Sequence, residues 1–270
     1  MKFKILLFFL IASTPFFSQK GVDINDLLIT YQLDYKNDST ASGYTNHDNY
    51  YLNISENAEK SIFISVNKKK SDSLAKIGGI YALFELKKIK LDSSYKIFYN
   101  SKSRDLFTID DVGSNQFYYV SKNYRITWKI TDERKKILNY NCIKATSEIF
   151  GRKWTAWFIS DLPIPEGPYK FKDLPGLIAE IYDDHFNYKF SILEIKKSNE
   201  VLAGYIDPIK NAKEITVKEF NKMKKEMYEN PYITIPNYDL LEDRMKERLK
   251  SVMEIRKKEI GNNPIELINQ

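Results

Sequence analysis

The chain has 270 residues, the length of one large domain, and 43% of them are hydrophobic, which excludes wholesale disorder. A single Cys excludes an intrachain disulfide, and two His leave no room for a histidine-rich metal cage. The formal net charge of +6 is mild. Clusters such as Lys68–Lys70 and Arg256–Lys258 are interpreted as solvated faces, so nucleic acid is not an expected partner.

The N-terminus has the pattern of a signal peptide. Two lysines, Lys2 and Lys4, precede an apolar run from Ile5 to Pro15, which is too short to span a bilayer and long enough for a signal-peptide core. We expect a signal peptide over residues 1–18, cleavage near Ser18, and a periplasmic or secreted protein. A buried N-terminal strand or helix is the alternative. No transmembrane span is expected in the mature chain.

The pattern over most of the next 190 residues predicts β-strands. Aromatic residues make up 14% of the chain, and apolar and polar side chains alternate along short segments. Asp72 to Leu91 is ambiguous, because apolar residues recur there at helical spacing but Gly78-Gly79 interrupts them. The predicted strands are Leu28–Lys36, Tyr50–Ser55, Ser61–Val66, Tyr95–Tyr99, Asp105–Asp110, Gln116–Ser121, Tyr124–Ile130, Lys136–Phe150, Lys153–Ile159, Leu177–Tyr182, Tyr188–Ile195 and Val201–Ile206.

The C-terminal part, about residues 215–260, is patterned for two helices. Thr216 and Glu219 form a capping box, and the first helix should end before Pro231. Asp239 with Glu242 predicts the start of a second helix, and Gly261 its end. We therefore predict an α+β fold, mainly β, in one domain over residues 19–270. A large curved antiparallel sheet, half-barrel-like, would be packed by the C-terminal helices. A two-sheet sandwich is the alternative.

Few residues suggest chemistry. The sequence has no Gly-rich phosphate loop, no Gly-x-Ser-x-Gly elbow, no His-x-x-x-His pair and no Cys-x-x-Cys. Cys142 lies in a predicted strand and is interpreted as a small buried hydrophobe. Asp183, Asp184 and His185 are a possible metal group, although such residues are also common turn formers. We expect no metal, no cofactor and no catalytic residues.

A proline-rich segment from Ser160 to Gly176 is stiff and apolar. It contains four of the nine prolines, and its apolar side chains must be buried although it connects two strands. Such a segment suits either a plug that closes one end of a barrel or one wall of a ligand groove. The preceding strand is apolar on both faces, and its aromatic residues, together with Trp128, are candidates to line a core or a ligand site: Trp154, Trp157 and Phe158.

The sequence resembles the GLPGLI family of exported proteins from Gram-negative bacteria. The resemblance lies in Gly167-Pro168-Tyr169-Lys170-Phe171 followed by Leu174-Pro175-Gly176-Leu177-Ile178, and in blocks at 126–130, 140–145 and 151–158, with weaker likeness at 61–63 and 263–267. Asp173 stands where the family name has its first Gly, and Asp tolerates positive φ better than most residues. The resemblance implies export and a β-rich domain, and it implies no established activity. Its residues Gly167, Pro168, Phe171, Leu174, Pro175, Gly176, Leu177 and Ile178 are interpreted as a structural motif.

The expected function is non-catalytic: an exported envelope protein that binds a lipophilic or peptide ligand, or a partner at the outer membrane. The alternative is a hydrolase or metal-dependent enzyme that uses His185 and the adjacent aspartates. An apolar cavity without convergent polar groups would favour binding. His185, Cys142 and carboxylates within hydrogen-bond reach of one another would favour an enzyme.

Overall fold

A computed structural model describes residues 26–44, 46–90, 93–112, 115–197, 205, 207–230, 238–260 and 262–267. The predicted signal peptide and cleavage site, the strand Val201–Ile206 apart from Tyr205, and the helix end at Gly261 lie outside these residues. Over the described part, no helix combines the length and apolarity needed to cross a bilayer.

The fold is mainly β, as predicted, with one large antiparallel sheet and C-terminal helices. The order across the sheet is β12-β6-β5-β4-β3-β2-β1-β11-β10-β9-β8-β7, and only the short β12 pairs in parallel. The strands are β1 (Leu27–Tyr35), β2 (Asn46–Ile54), β3 (Lys60–Ser65), β4 (Lys96–Asn100), β5 (Asp105–Val112), β6 (Asn115–Ser121), β7 (Lys129–Ile137), β8 (Tyr140–Ile149), β9 (Arg152–Ile159), β10 (Leu177–Asp183), β11 (Tyr188–Lys197) and β12 (Lys213–Glu214).

The region from Tyr124 to Phe150 differs from the prediction. Residues 124–128 form no strand, and the single predicted strand Lys136–Phe150 is a hairpin of β7 and β8 that turns at Leu138, whose φ is +51°. The prediction was wrong because Leu138-Asn139 carries no Gly or Pro, the residues that usually mark such a turn. The predicted turn at residues 131–133 is instead an irregularity in β7, between Ile130 and Arg134.

Four helices accompany the sheet. The ambiguous segment forms α1 (Val66–Ile77) and α2 (Gly79–Leu86), separated at Gly78, whose φ of +68° favours glycine. The predicted capping box starts α3 (Val217–Glu229), and α4 (Asp243–Ile260) follows. Helix α3 packs on β5 and β6, where the ring of Phe220 lies 5.0 Å from that of Tyr119.

The sheet curves around residues 160–176, which we call the plug segment. Six strand spacings separate β4 from β9, so a flat sheet would place them about 29 Å apart. Two consecutive plug residues nevertheless contact both strands. The Phe171 ring lies 4.5 Å from the Trp154 ring on β9, and Lys172 Nζ lies 4.7 Å from the Tyr99 ring on β4. The predicted half-barrel curvature therefore follows from one segment that both halves of the sheet contact.

Most residues of the family-like motif are buried. The motif spans the second half of the plug segment and the first two residues of β10. Tyr31 on β1 donates a hydrogen bond of 2.5 Å to the Ile178 carbonyl, and the Leu177 amide donates one of 3.0 Å to the Leu162 carbonyl. Pro175 is the exposed member. The buried members are Gly167, Pro168, Phe171, Leu174, Gly176, Leu177 and Ile178.

Gly176 is required by close backbone approach. A Cβ at this position would lie 2.1 Å from the Ile159 carbonyl oxygen, which is shorter than the contacts that Cβ atoms make in proteins. Because the obstacle is backbone, it cannot move aside as a flexible side chain would.

Gly176→Ala should therefore lower the free energy of unfolding by about 1–3 kcal/mol or more, since β9 and the plug segment must separate to make room. Urea denaturation measures this change. Gly43→Ala is the matched control, because no atom lies within 4 Å of a Cβ there. Equal stability of the two variants would contradict the packing role of Gly176.

Candidate functional site

The plug segment carries buried charges that sequence reasoning missed. Lys172 pairs with Glu166, and both side chains are almost fully buried. Ser61 on β3 donates a hydrogen bond of 3.0 Å to the Glu166 carboxylate. Lys170, also buried, lies 2.5 Å from the Glu266 carboxylate and 2.8 Å from the Tyr119 hydroxyl. These ionic contacts attach the plug segment to the sheet and to the C-terminal residues.

Asp173 shows why this sequence does without a glycine at that position. Its φ is +73°, a conformation that Asp tolerates, so the position does need a left-handed backbone. Its carboxylate accepts a hydrogen bond of 2.5 Å from Arg104 and one of 2.8 Å from the Ile126 amide. A glycine would supply the conformation but not these two contacts.

The aromatic candidates line the core. Trp154 and Phe158 belong to one continuous buried cluster with Phe171 of the plug segment, and the Trp128 indole donates a hydrogen bond of 2.7 Å to the Lys172 carbonyl. Trp157 is buried, and Lys135 on β7 lies 4.3 Å from its ring. Their geometry therefore corresponds to the core-lining alternative.

Asp183 is a structural carboxylate. One of its oxygens accepts from the backbone amides of Asn187 and Tyr188, at 2.7 and 2.8 Å. The other accepts from Arg152 and from the Asn187 side chain, both at 3.0 Å. A carboxylate offers about four acceptor positions, so all of those on Asp183 are used by protein donors.

The remaining members of the possible metal group are on the surface. His185 Nδ1 lies 2.7 Å from the Asp184 carboxylate, and both side chains are exposed. The three ligand atoms do lie within 4.8 Å of one another. Because Asp183 has no free acceptor, only Asp184 and His185 remain as ligands, and two exposed ligands are few for a metal ion.

Arg152 connects Asp183 to the last described residues. Its guanidinium donates to the Asn263 side chain at 2.7 Å and to the Pro264 carbonyl at 2.6 Å. The Leu267 amide donates to the Phe150 carbonyl at 2.9 Å. The segments that carry the family resemblance, although distant in sequence, therefore meet around the plug segment and its attachments.

Cys142 is fully buried on β8, opposite Lys135 on β7 and Ile159 on β9. Burial raises the pKa of its thiol to about 11. A thiol nucleophile needs the thiolate and an adjacent base. Cys142 has neither at neutral pH, since the two histidines are exposed and pair with Asp34 and Asp184.

Cys142 should resist thiol reagents in the native protein. With a pKa of about 11, roughly one thiol in a thousand is ionised at pH 8, and the side chain is inaccessible. Labelling followed at pH 8 should be slow without denaturant and fast in urea. Rapid labelling of the native chain would show that Cys142 is exposed.

The Lys172–Glu166 pair should be strongly coupled. Lys172→Met leaves the Glu166 carboxylate buried without its counter-ion, which should lower the free energy of unfolding by about 3–5 kcal/mol. The double variant Lys172→Met, Glu166→Met should regain most of this loss. Urea denaturation of both variants measures the coupling. Lys153→Met, which breaks an exposed ion pair, is the control and should be close to neutral. Additive losses would contradict coupling.

A separate polar cleft of about 770 Å³ lies between α1, the outer strands β4–β6, Tyr205 and residues 207–213. Most of its side chains are charged or polar, and Phe117 and Tyr205 supply aromatic rings. The charged members are Asp72, Lys76, Lys96, Asp111, Asp207, Lys210 and Lys213.

Two of the three acids in the cleft share one lysine as their counter-ion. Lys68 lies 2.6 Å from the Asp72 carboxylate and 2.7 Å from the Asp111 carboxylate. Tyr205 donates a hydrogen bond of 2.7 Å to Asp72, and Gln116 donates one of 2.8 Å to Asp111. Burial disfavours the ionised acid, but the bonds from Lys68 and Gln116 outweigh it and hold the pKa of Asp111 below its usual value.

Lys96 is the unusual member of the cleft. Its side chain is only 4% exposed, and its ammonium has no hydrogen-bond acceptor or carboxylate partner among the described residues. Its ammonium lies over the face of Tyr205, 5.6 Å from the ring centre, and Lys76 lies 5.7 Å from the same ring. Burial lowers the pKa of Lys96, and the nearby acids do not offset this.

The sequence signals for these groups were weak. Lys96 follows Tyr95 in a correctly predicted strand, but Tyr205 and Asp72 reach it from distant parts of the chain. Glu166, Lys170 and Lys172 are charged residues inside an apolar, proline-rich segment. Charged residues within an otherwise apolar segment were the feature of the sequence that could have indicated buried ion pairs.

Comparisons with known proteins support the fold. Residues 95–221 match the family described as the N-terminal domain of N-glycanase peptide, just under half of the chain. Two solved structures of PNGF-II, in P21 and C2 crystal forms, share 17% and 18% identity, each with a TM-score of 0.52. They cover 74% and 73% of this chain but 33% and 32% of their own, so it spans about a third of their length. Among curated proteins, none matches this sequence.

Proposed function

We propose that this chain is a non-catalytic, exported binding protein that holds an anionic group of a polar ligand in the Lys96 cleft. The observation that carries the proposal is the buried Lys96 side chain, which lines an open cleft and has no hydrogen-bond acceptor among the described residues. A ligand carboxylate would supply a charge-assisted hydrogen bond to its ammonium.

The charge balance of the cleft favours an anion over a cation. Four lysines and three acids line the cleft, and with Lys68, which is shared by Asp72 and Asp111, five positive charges stand against three negative ones. The aromatic rings of Phe117 and Tyr205 add apolar area for the rest of the ligand. A peptide ligand, as expected from the sequence, would bind through an acidic side chain or its C-terminus.

The concave face offers less support for a lipophilic ligand. The plug segment fills the space that such a ligand would occupy, with Phe171 and Leu174 fully buried there. The hydrolase alternative has less support too, because the acceptors of Asp183 are all used. PNGF-II has the fold in common with part of this chain, at an identity of 17–18%.

Lys96→Met should abolish anion binding while the protein remains folded, since Met fills a similar buried volume without a charge to desolvate. The probes are inorganic phosphate, a glutamate-rich peptide and an oligoglucuronate, measured by calorimetry at low salt. We expect the parent to bind one of the carboxylate probes and the variant to bind it at least tenfold more weakly. The control is Lys60→Met, an exposed lysine on the neighbouring strand β3.

The pH dependence provides a second measurement. Because burial lowers the pKa of Lys96, its ammonium loses its proton at a lower pH than an ordinary lysine, and affinity should fall with it as the pH rises. Equal affinity of the parent and Lys96→Met, or no binding of any probe, would overturn the proposal. Binding of phosphate alone would identify a free oxyanion as the ligand, and turnover of a probe would contradict a non-catalytic role.

A further inference from the structure

Helix α2 presents its apolar side to solvent. Ile80, Tyr81, Leu83 and Phe84 are 58–73% exposed, and Ile77 at the end of α1 is 71% exposed. The small Ala82 is the buried residue of α2. An ordinary surface helix has the opposite arrangement, with its apolar side towards the core.

Four of the exposed residues form a stripe along α2. Ile80 and Phe84 are four residues apart, Tyr81 and Phe84 are three apart, and Leu83 widens the stripe, while Ile77 ends α1 on the other side of the break at Gly78. Scattered exposed apolar residues need no explanation, but a contiguous stripe of large ones marks an interaction surface. We call residues 77–90 the α2 tip.

The α2 tip and α1 together are strongly basic. Residues 66–90 contain seven lysines against two acidic residues, Asp72 and Glu85. Both acids are already paired, Asp72 with Lys68 and Glu85 with Lys88, each at 2.6 Å. Three of the seven lysines, Lys87, Lys88 and Lys90, directly follow the apolar stripe in the sequence. The interpretation of Lys68–Lys70 as a solvated face was wrong for Lys68, which is buried and pairs with Asp72 and Asp111.

The combination fits a lipid surface better than a protein surface. Protein interfaces are enriched in aromatic residues and Arg but depleted in Lys. Helices that lie in a membrane interface instead combine lysines with large apolar and aromatic residues, because the lysines reach anionic headgroups while the apolar side enters the acyl boundary. Lys87 lies 5.9 Å from the Phe84 ring, so cationic and apolar groups are side by side.

We propose that the α2 tip docks this protein on the surface of an anionic phospholipid bilayer. The apolar stripe would enter the headgroup region, and Lys87, Lys88 and Lys90 would face the lipid phosphates. The contact is peripheral and reversible, because one short helix buries too little apolar area for permanent insertion. It does not depend on ligand binding at Lys96.

Vesicle sedimentation tests the proposal on the full mature chain. We expect binding to vesicles of phosphatidylcholine with phosphatidylglycerol and weak binding to phosphatidylcholine alone. Most of the binding should be lost at about 1 M salt, where the screening length falls to about 3 Å. The double variant Ile80→Ser, Phe84→Ser should reduce the vesicle-bound fraction at least tenfold. The double variant Lys87→Glu, Lys88→Glu should bind the anionic vesicles more weakly, while its binding to phosphatidylcholine vesicles should stay unchanged.

Matched controls separate this tip from the rest of the surface. Leu240→Ser removes an 82% exposed apolar side chain near α4, and Lys222→Glu changes an exposed lysine on α3. Both should bind vesicles like the parent, and circular dichroism checks that all variants fold. No vesicle binding by the parent, or equal binding by the tip variants, would overturn the proposal. A stable dimer that the serine variant abolishes, without vesicle binding, would assign the stripe to a second copy instead.

Discussion

The burial of the plug segment against both halves of one sheet is the constraint on which this structure depends. Strands β4 and β9 are six positions apart in the twelve-stranded sheet, yet two adjacent plug residues contact them. Phe171 packs on Trp154 of β9, and Lys172 lies over the Tyr99 ring of β4. The apolar contact supplies the driving force, and the Lys172–Glu166 pair adds a directional requirement, because a displaced plug would leave a buried charge unpaired. The burial of the plug segment accounts for the curvature of the sheet, the filled concave face and the position of the C-terminal residues.

Local patterns in the sequence predicted the parts of the fold that local physics determines. Alternation identified most strands, and Thr216 with Glu219 began α3 as its capping box required. The prediction of a strand over residues 124–128 was wrong because these residues pair with no strand. The Ile126 amide instead donates a hydrogen bond to the Asp173 carboxylate. The pairing of β1 with β11 also escaped prediction, since it joins segments about 160 residues apart and no local signal specifies it.

The candidate site was less predictable than the fold, for a related reason. The aromatic residues singled out in the sequence, such as Trp154, belong to the core because aromatic strands are buried whatever their function. Lys96 is distinctive because it has no hydrogen-bond acceptor in the part of the chain that the structure describes, and that depends on where Asp72, Lys68 and Tyr205 lie in space. The apolar spacing from Leu74 to Phe84 left this segment ambiguous, because Gly78-Gly79 interrupts it, and gave no indication that the apolar side of α2 would face outwards.

The two ends of the sheet have consequences for how copies of this chain meet. Strand β12 ends one side with two residues, and β7 ends the other with an unbroken run of charged residues at 132–136. A strand from another molecule would have to strip water from these charges and follow the irregularity after Ile130 before any backbone bonds formed. A broad, aromatic-rich sheet of this size is thereby kept from growing edge to edge into fibrils.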